Sequence, residues 1–498
     1  MVSTMTSVAK VKIPEGYKQT EVGVIPEDWG IKTIEEITSI VGDGIHATPV
    51  YSMAGGYFFV NGNNIDQGKI TLTENTKQID YQEFIKHKKV LTNRTIFLSI
   101  NGTIGNVGFY NDEPIILGKS AAYFNIKEGY SKFYIYYYLQ TNEVGQFFED
   151  GLTGTTIKNL GLGTIRSTPI ALPPLREQTA IANALSDVDN LIAALETLIA
   201  KKSAIKTAAM QQLLTGKKRL PAFVKQGAKQ NSELDNTSET AQAAQTKQTS
   251  TLNSDLYKES SEGLDSKSNQ QSEVSNANNK QTAPRPGYKQ TELGEIPEDW
   301  SCIESLEAMH FFGGYGFSSN LASSTGVKWL KIANVGLNEI KWDAESFLPE
   351  RLVNDYKDFL LKPTDVVMAL TRPILADKLK VARIEEADIP ALLNQRVAKI
   401  EPKSYHQLDY LYYVVQRLNF VAAMNLAMAG TDPPNIGTNA LAKIKIISPP
   451  TKEEQTAIAN VLSDMDTELD SLQQRLSKAQ KIKQGMMQEL LTGKTRLV

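Results

Sequence analysis

A chain of 498 residues, 41% hydrophobic and 22% charged, has the composition of an ordinary globular protein with room for roughly two to four domains. A single cysteine, Cys302, and four scattered histidines exclude a disulfide framework and a multi-cysteine metal site, and they fit a reducing, cytoplasmic setting. The formal net charge of −3 excludes binding of nucleic acid through bulk charge, and the lack of a long apolar run or signal-peptide core argues against a membrane or exported protein.

After a tail over residues 1–15, the first element is GYKQTEVGVIPEDW at residues 16–29. It returns as GYKQTELGEIPEDW at residues 287–300, identical at twelve of fourteen positions. Between this opening and residue 172, YFFVNGNNI, RTIFLSINGTIGNVGFY, SAAYFNI and TIRSTPIALP read as short strands punctuated by Gly, Asn and Pro. SKFYIYYYLQTNEVGQFFE predicts one helix whose aromatic stripe is core. A mixed α/β domain over residues 16–172 follows.

Residues 173–216 predict a long helix. PPLREQTAIANALSD opens it, and Ile181, Leu185, Val188, Ile192, Leu195 and Ile199 alternate spacings of four and three, as a coiled-coil seam does. LLTGK, with Gly216 and basic neighbours, closes it. Residues 217–286 change character to Gln, Asn, Ser, Thr and Lys with few aromatics, the composition of a disordered tether spanning roughly 45 Å root-mean-square.

The second half repeats the plan. KWLKIANVGL, DVVMALTRPI, KLKVARI, RVAKIEP and KIKIISPP predict strands and QLDYLYYVVQRLNFVAAMN one helix, giving a second mixed domain over residues 287–448. A helix over residues 449–493 carries the matching seam Ile458, Leu462, Met465, Leu469, Leu472 and Leu476, with Thr451 and Glu454 as a capping box and Gly493 as its stop; residues 494–498 form a tail. Each helix of about forty residues measures roughly 60 Å. A seam needs a partner, and the other copy in the same chain supplies it if the helices lie antiparallel. The fold class is therefore α+β: two mixed α/β domains separated by two long antiparallel helices in an intramolecular coiled coil, with the domains at opposite ends of a rod.

Catalytic signatures are broken where they occur. GKT at residues 493–495 ends a helix and lacks the first P-loop glycine, and TDPPNIG at residues 431–437 has Asn435 where an adenine methyltransferase places its stacking aromatic. Binding residues are better represented. Lys88 and Lys89 with Arg94, and Arg372, Lys378 and Lys380, have the chemistry of phosphate anchors, while Asn101, Asn394, Gln395 and Arg396 carry donor and acceptor patterns that read base edges. Singly, each is also explained as a solvated surface or turn residue.

A variable domain, a helix opened by Pro-Pro-x-x-Glu-Gln, a second variable domain introduced by Ile-Pro-x-x-Trp, and a helix closing with Leu-Leu-Thr-Gly together resemble the specificity subunit of Type I restriction-modification enzymes, over nearly the whole chain. The resemblance implies two target recognition domains, each reading one half of a bipartite DNA sequence, and helices that set their spacing and dock two methylation subunits. It implies structural anchoring by Trp29 and Trp300 and recognition by Asn394, Gln395 and Arg396, whose first-repeat equivalent is Gly118, Lys119 and Ser120; Lys119 and Lys158 join the candidate DNA contacts. It implies no cofactor in this chain, with S-adenosylmethionine, ATP and Mg2+ belonging to the methylation and restriction subunits. A coiled-coil scaffold without DNA recognition, which the divergent middles oppose, and a stand-alone methyltransferase or nuclease, which lacks a complete motif, are the alternatives.

If the helices act as a ruler, one heptad inserted after Ile199 and another after Leu476 adds about 10.5 Å, or roughly three base pairs of spacer. Methylome sequencing is expected to show the same half-sites with a longer gap; full activity at the original gap rules the ruler out.

Overall fold

The structure is a computed structural model, and it describes residues 13–154, 158–224, 284–343 and 345–497. The tether expected over residues 217–286 falls outside the described residues from 225 to 283, as do residues 1–12 of the N-terminal tail. Two compact units are present, one comprising Met1–Thr197 with Gln473–Val498, the other Leu198–Leu472. Each unit thus holds one variable domain, the start of its own long helix and the end of the helix from the other repeat.

In the first unit the variable domain contains an antiparallel sheet ordered Val107–Phe109, Thr95–Ser99, Ala121–Ile126, Thr38–Asp43. Beside it, Ile115–Leu117 runs parallel to Tyr57–Val60, which pairs with Gln78–Ile79. The second unit repeats this topology strand for strand: Val381–Arg383, Val366–Ala369, Val397–Pro402 and Met309–Gly313, with Ala391–Leu393 parallel to Val327–Leu330 and Phe347–Leu348 on its other edge. Buried apolar side chains on these strands pack under the tyrosine-rich helices, so the sheet fixes the positions of the loops at its ends.

Each tyrosine-rich stretch forms two helices rather than the single helix expected. Lys132–Tyr138 and Asn142–Asp150 are separated at Thr141, whose hydroxyl donates to the Tyr138 carbonyl at 2.8 Å and accepts from Val144 N. Leu408–Val414 and Leu418–Ala427 break at the corresponding place. In the first break the threonine hydroxyl satisfies freed backbone groups on both sides, which a sequence periodicity does not register, whereas in the second Arg417 stands at the N-cap and makes no side-chain cap bond. The stripe itself is core: Tyr134 and Tyr410 are fully buried and donate to the carbonyls of Ala171 and Ile447.

The long helices span Leu175–Leu213 and Lys452–Leu490. In the first unit Ile181 and Leu185 join Leu490 and Leu491 in one core while Asp189 pairs with Lys483 at 2.7 Å, so numbering rises along one helix as it falls along the other. In the second unit Ile205 and Ala209 share a core with Ile458 and Leu462, and Lys202 pairs with Glu468 at 2.6 Å. The helices are antiparallel in both units. The seam is not apolar throughout: Lys206 bonds Asp466, which accepts from Tyr413 at 2.8 Å, and Lys483 bonds Asp189, which accepts from Tyr137 at 2.8 Å. Burial and the adjoining aspartate hold both phenols far above the ordinary tyrosine range.

The repeated motifs meet at one kind of contact. Each opening stretch is a hairpin, Tyr17–Thr20 with Gly23–Pro26 and Tyr288–Thr291 with Gly294–Pro297. Tyr17 donates to the Gly493 carbonyl and Tyr288 to that of Gly216, both at 3.0 Å. Gly216 and Gly493 sit at φ +69° and +72°, and a Cβ there would lie 2.4 and 2.5 Å from a proline of the hairpin, so glycine is required by conformation and by contact. Three residues on, Arg219 makes two 2.7 Å bonds to Glu454 and one to Asp299, and Arg496 bonds Glu177 and Asp28. Glu177 and Glu454 are almost fully buried, as are Trp29 and Trp300, over whose rings the guanidinium groups lie about 6 Å away. The bond from Arg496 holds the Asp28 carboxyl below the usual range.

This corrects the capping-box expectation. Thr451 Oγ1 accepts from Glu454 N at 3.3 Å, but the Glu454 carboxylate turns to Arg219, because a bidentate guanidinium outweighs a single backbone N–H for a buried charge.

Removing Arg219 strands the Glu454 carboxylate, so Arg219→Ala is expected to cost about 3–5 kcal/mol of stability, with part of it restored by adding Glu454→Gln. Denaturant unfolding of the full chain checks this; a single-variant loss below about 0.5 kcal/mol, the range of a surface pair, contradicts it.

Candidate nucleic-acid interface

In the first domain, two parallel strands end side by side and release loops at the same place. Gly118 N donates to the Val60 carbonyl at 2.8 Å, Ser120 Oγ reaches Asn61 Oδ1 at 3.0 Å, and Gly62 N donates to Ser120 Oγ at 2.9 Å. The loop after the central strand joins them: Ile100 N donates to the Ser120 carbonyl, Leu160 N to the Ile100 carbonyl, and Asn101 pairs with Asn159. Asn101, Lys119 and Lys158 are therefore brought together. Lys119 is exposed, and Lys158 lies 3.2 Å from Glu149.

The second domain builds the same cluster from other residues. Asn394 N donates to the Leu330 carbonyl, Leu370 N to the Arg396 carbonyl, Ile436 N to the Leu370 carbonyl and Arg372 N to the Pro434 carbonyl, all between 2.8 and 3.1 Å. Thr371 Oγ1 donates to Asn435 Oδ1 at 2.7 Å. TDPPNIG therefore closes on the Arg372 turn as a structural loop. Arg372, Asn394, Gln395 and Arg396 fall in one cluster, and the side chains of Arg372, Gln395 and Arg396 are exposed and carry no hydrogen bond or ion pair among the described residues. Lys378 is exposed on a short ribbon, Ile374–Leu375 with Lys378–Leu379, that extends from the same turn.

Other candidates stand apart. Arg94 donates to the carbonyls of Ile126, Lys127 and Tyr130 at 2.6 to 2.8 Å, which makes it a clamp on the turn after a central strand. Lys380 Nζ donates to the Ile332 carbonyl at 2.8 Å, and burial pushes its pKa down, so its ammonium supports the fold. Lys88 and Lys89 follow the helix Tyr81–His87, and among the described residues no hydrogen bond joins their side chains to the cluster.

Sequence reasoning missed the residues that shape the loops. Asn64 accepts from Asn61 N at 3.0 Å and donates to Thr71 O, and Asn334 does the same with Lys331 N and Lys341 O. Each asparagine stands four residues after the end of its strand, at Val60 and Leu330, and that shared spacing is the signal that could have revealed them. Tyr315, exposed and bridged to Asn394, was also missed. Among the described residues no group of three or more His, Cys, Asp or Glu could hold a metal ion, and no helix is long and apolar enough to cross a membrane.

A family model described as the Type I restriction modification DNA specificity domain matches residues 26–206 and again 297–481, more than half of the chain. Among curated relatives, the Type I restriction enzyme MjaVIII specificity subunit of Methanocaldococcus jannaschii is 28% identical over 492 residues, covering 97% of this chain and 96% of its own. The EcoAI specificity subunit of Escherichia coli is 35% identical over 107 residues, 22% of this chain and 18% of its own. Among solved structures, the S subunit of a Type I restriction-modification system from M. genitalium superposes with a TM-score of 0.52 at 16% identity, covering 93% and 96% of the two chains, which supports the fold. The order of sheet, loop cluster and helix recurs in both matched segments, each of which begins at the last residue of a hairpin, and the chain belongs to the Type I restriction-modification DNA specificity family.

Proposed function

We propose that this protein is the DNA-recognition subunit of a Type I restriction-modification complex, with each variable domain reading one half of a bipartite duplex target. One observation carries the reading: two domains whose four- and three-stranded sheets share one topology present the same loop cluster with different side chains, Gly118, Lys119 and Ser120 in one and Asn394, Gln395 and Arg396 in the other. A scaffold has no need of that difference, whereas a reader of two unlike half-sites requires it.

In this reading the helices hold the readers at a defined spacing and dock two methylation subunits. Restriction subunits join for cleavage, and S-adenosylmethionine, ATP and Mg2+ act in those partners in the cytoplasm. This chain then supplies the address and no catalytic group. With balanced charge in the domains, much of the phosphate contact falls to the partners.

Exchanging residues 301–448 for the corresponding segment of a related subunit is expected to change one half of the methylated sequence and leave the other intact; methylome sequencing that shows both halves changed, or neither, rejects the reading. Within the assembled complex, Arg372→Ala is expected to weaken binding to all targets alike and to lower the slope of log affinity against log salt by about 1, as loss of one phosphate contact does. Arg94→Ala is expected to leave that slope unchanged and to reduce stability instead. Titrations at several salt concentrations separate the two.

A further inference from the structure

Gln395 differs from the other residues of its cluster in having its end group beside a glycine. Its Oε1 lies where a Cβ on Gly316 would come within 2.7 Å, with Cδ at 3.3 Å and Nε2 farther away at 3.9 Å, so the absence of a side chain at 316 is what lets the carboxamide rest there. The main chain on both sides is fixed: Gln395 N donates to the Tyr315 carbonyl and Tyr315 N to the Leu393 carbonyl, both at 3.0 Å. The carboxamide oxygen and nitrogen have no hydrogen-bond partner among the described residues, while the backbone that carries them is fixed.

Tyr315 stands next to this group in a comparable state. Its ring is held by Tyr356, Phe317 and Phe359 with centroids at 4.5, 5.0 and 5.4 Å, while 39% of the residue remains exposed. Three aromatic neighbours fix the ring and leave part of it open, which is the arrangement of a rigid contact surface and costs little side-chain entropy when a ligand arrives. The first domain has no such pair. Ile45, bridged to Gly118, occupies the place of Tyr315, and Lys119 that of Gln395.

We propose that Gln395, seated against Gly316 and flanked by the fixed ring of Tyr315, reads one adenine in the half-site of the second domain. A glutamine carboxamide matches the N7 acceptor and N6 donor of adenine in the major groove with one acceptor and one donor, and a guanine in that place leaves two acceptors facing it. Tyr315 packs beside the same base pair and keeps water from competing for the carboxamide. The assignment rests on the DNA-recognition role proposed above.

The test uses the full chain assembled with its methylation subunits and reads the methylated motif. Gln395→Ala is expected to relax a single A·T position of one half-site, with discrimination falling roughly 5- to 150-fold, and to leave the other half-site unchanged. Gly316→Ala displaces only the flexible end of Gln395 and is expected to relax the same position. Tyr315→Ala should relax it also, whereas Tyr315→Phe should not. Should Gln395→Ala lower the unfolding temperature, Gln395→Met, which keeps the volume, gives the decisive motif. An intact motif in the Gln395 variants, or relaxation at a G·C pair, overturns the assignment. If the exchange of residues 301–448 still redirects one half-site, only this assignment has failed; if the exchange changes neither half, the recognition role has failed with it.

Discussion

The bidentate bond between an arginine and a buried glutamate, made once in each unit, is the constraint on which the rest of the molecule depends. Glu177 and Glu454 open the long helices in positions that exclude water, and an unpaired carboxylate there would cost several kcal/mol. Arg496 and Arg219 answer them, and both come from the tail of the other repeat. Pairing brings the rest of that tail with it: the glycine turn enters the hairpin, the hairpin tyrosine takes its carbonyl, and the tryptophan packs beneath the guanidinium. The hairpin, the tryptophan motif, the Pro-Pro-x-x-Glu-Gln stretch and the Leu-Leu-Thr-Gly-Lys ending recur in sequence because they are the parts of one contact.

A second pair of polar contacts lies in the helix seam. Tyr137, Asp189 and Lys483 in one unit, and Tyr413, Asp466 and Lys206 in the other, replace apolar layers with a charged bond capped by a phenol. A partly buried ion pair adds little net energy, but a shifted register would separate lysine from aspartate and leave both charges unmet. The apolar layers drive helix association; the triads select one alignment. The tyrosine belongs to the variable domain, so each domain is tied to the helices by a hydroxyl as well as by its hydrophobic core.

The sequence made the repeat, the helices and their seam legible, because period and duplication need no tertiary knowledge. It also exposed most strands, since Asn, Gly and Pro mark their ends. What it hid were contacts between residues hundreds of positions apart. Glu454 looked like a capping residue because its spacing from Thr451 is that of a capping box, and nothing local revealed Arg219. Arg94 and Lys380 looked like phosphate anchors, since a cation's type does not tell whether its donors meet backbone carbonyls. The cluster of Asn101, Lys119 and Lys158, and that of Arg372 with Asn394, Gln395 and Arg396, depend on a parallel strand pair that no stretch of the chain encodes alone.

The loops of both clusters are joined by main-chain bonds, such as Gly118 N to Val60 O and Asn394 N to Leu330 O, which use no side chain. Their architecture is therefore indifferent to side chains that make no such bond, though not to Gly118, Ser120, Thr371 or Asn435, which hold the loops together. Substitution at Lys119 or Gln395, whose exposed side chains carry no hydrogen bond or ion pair among the described residues, leaves those main-chain bonds in place. Residues such as Gly216, Glu177 and Arg219 have no comparable freedom. In the proposed reading the address can therefore be rewritten while the frame is kept, because the backbone beneath it makes its own bonds.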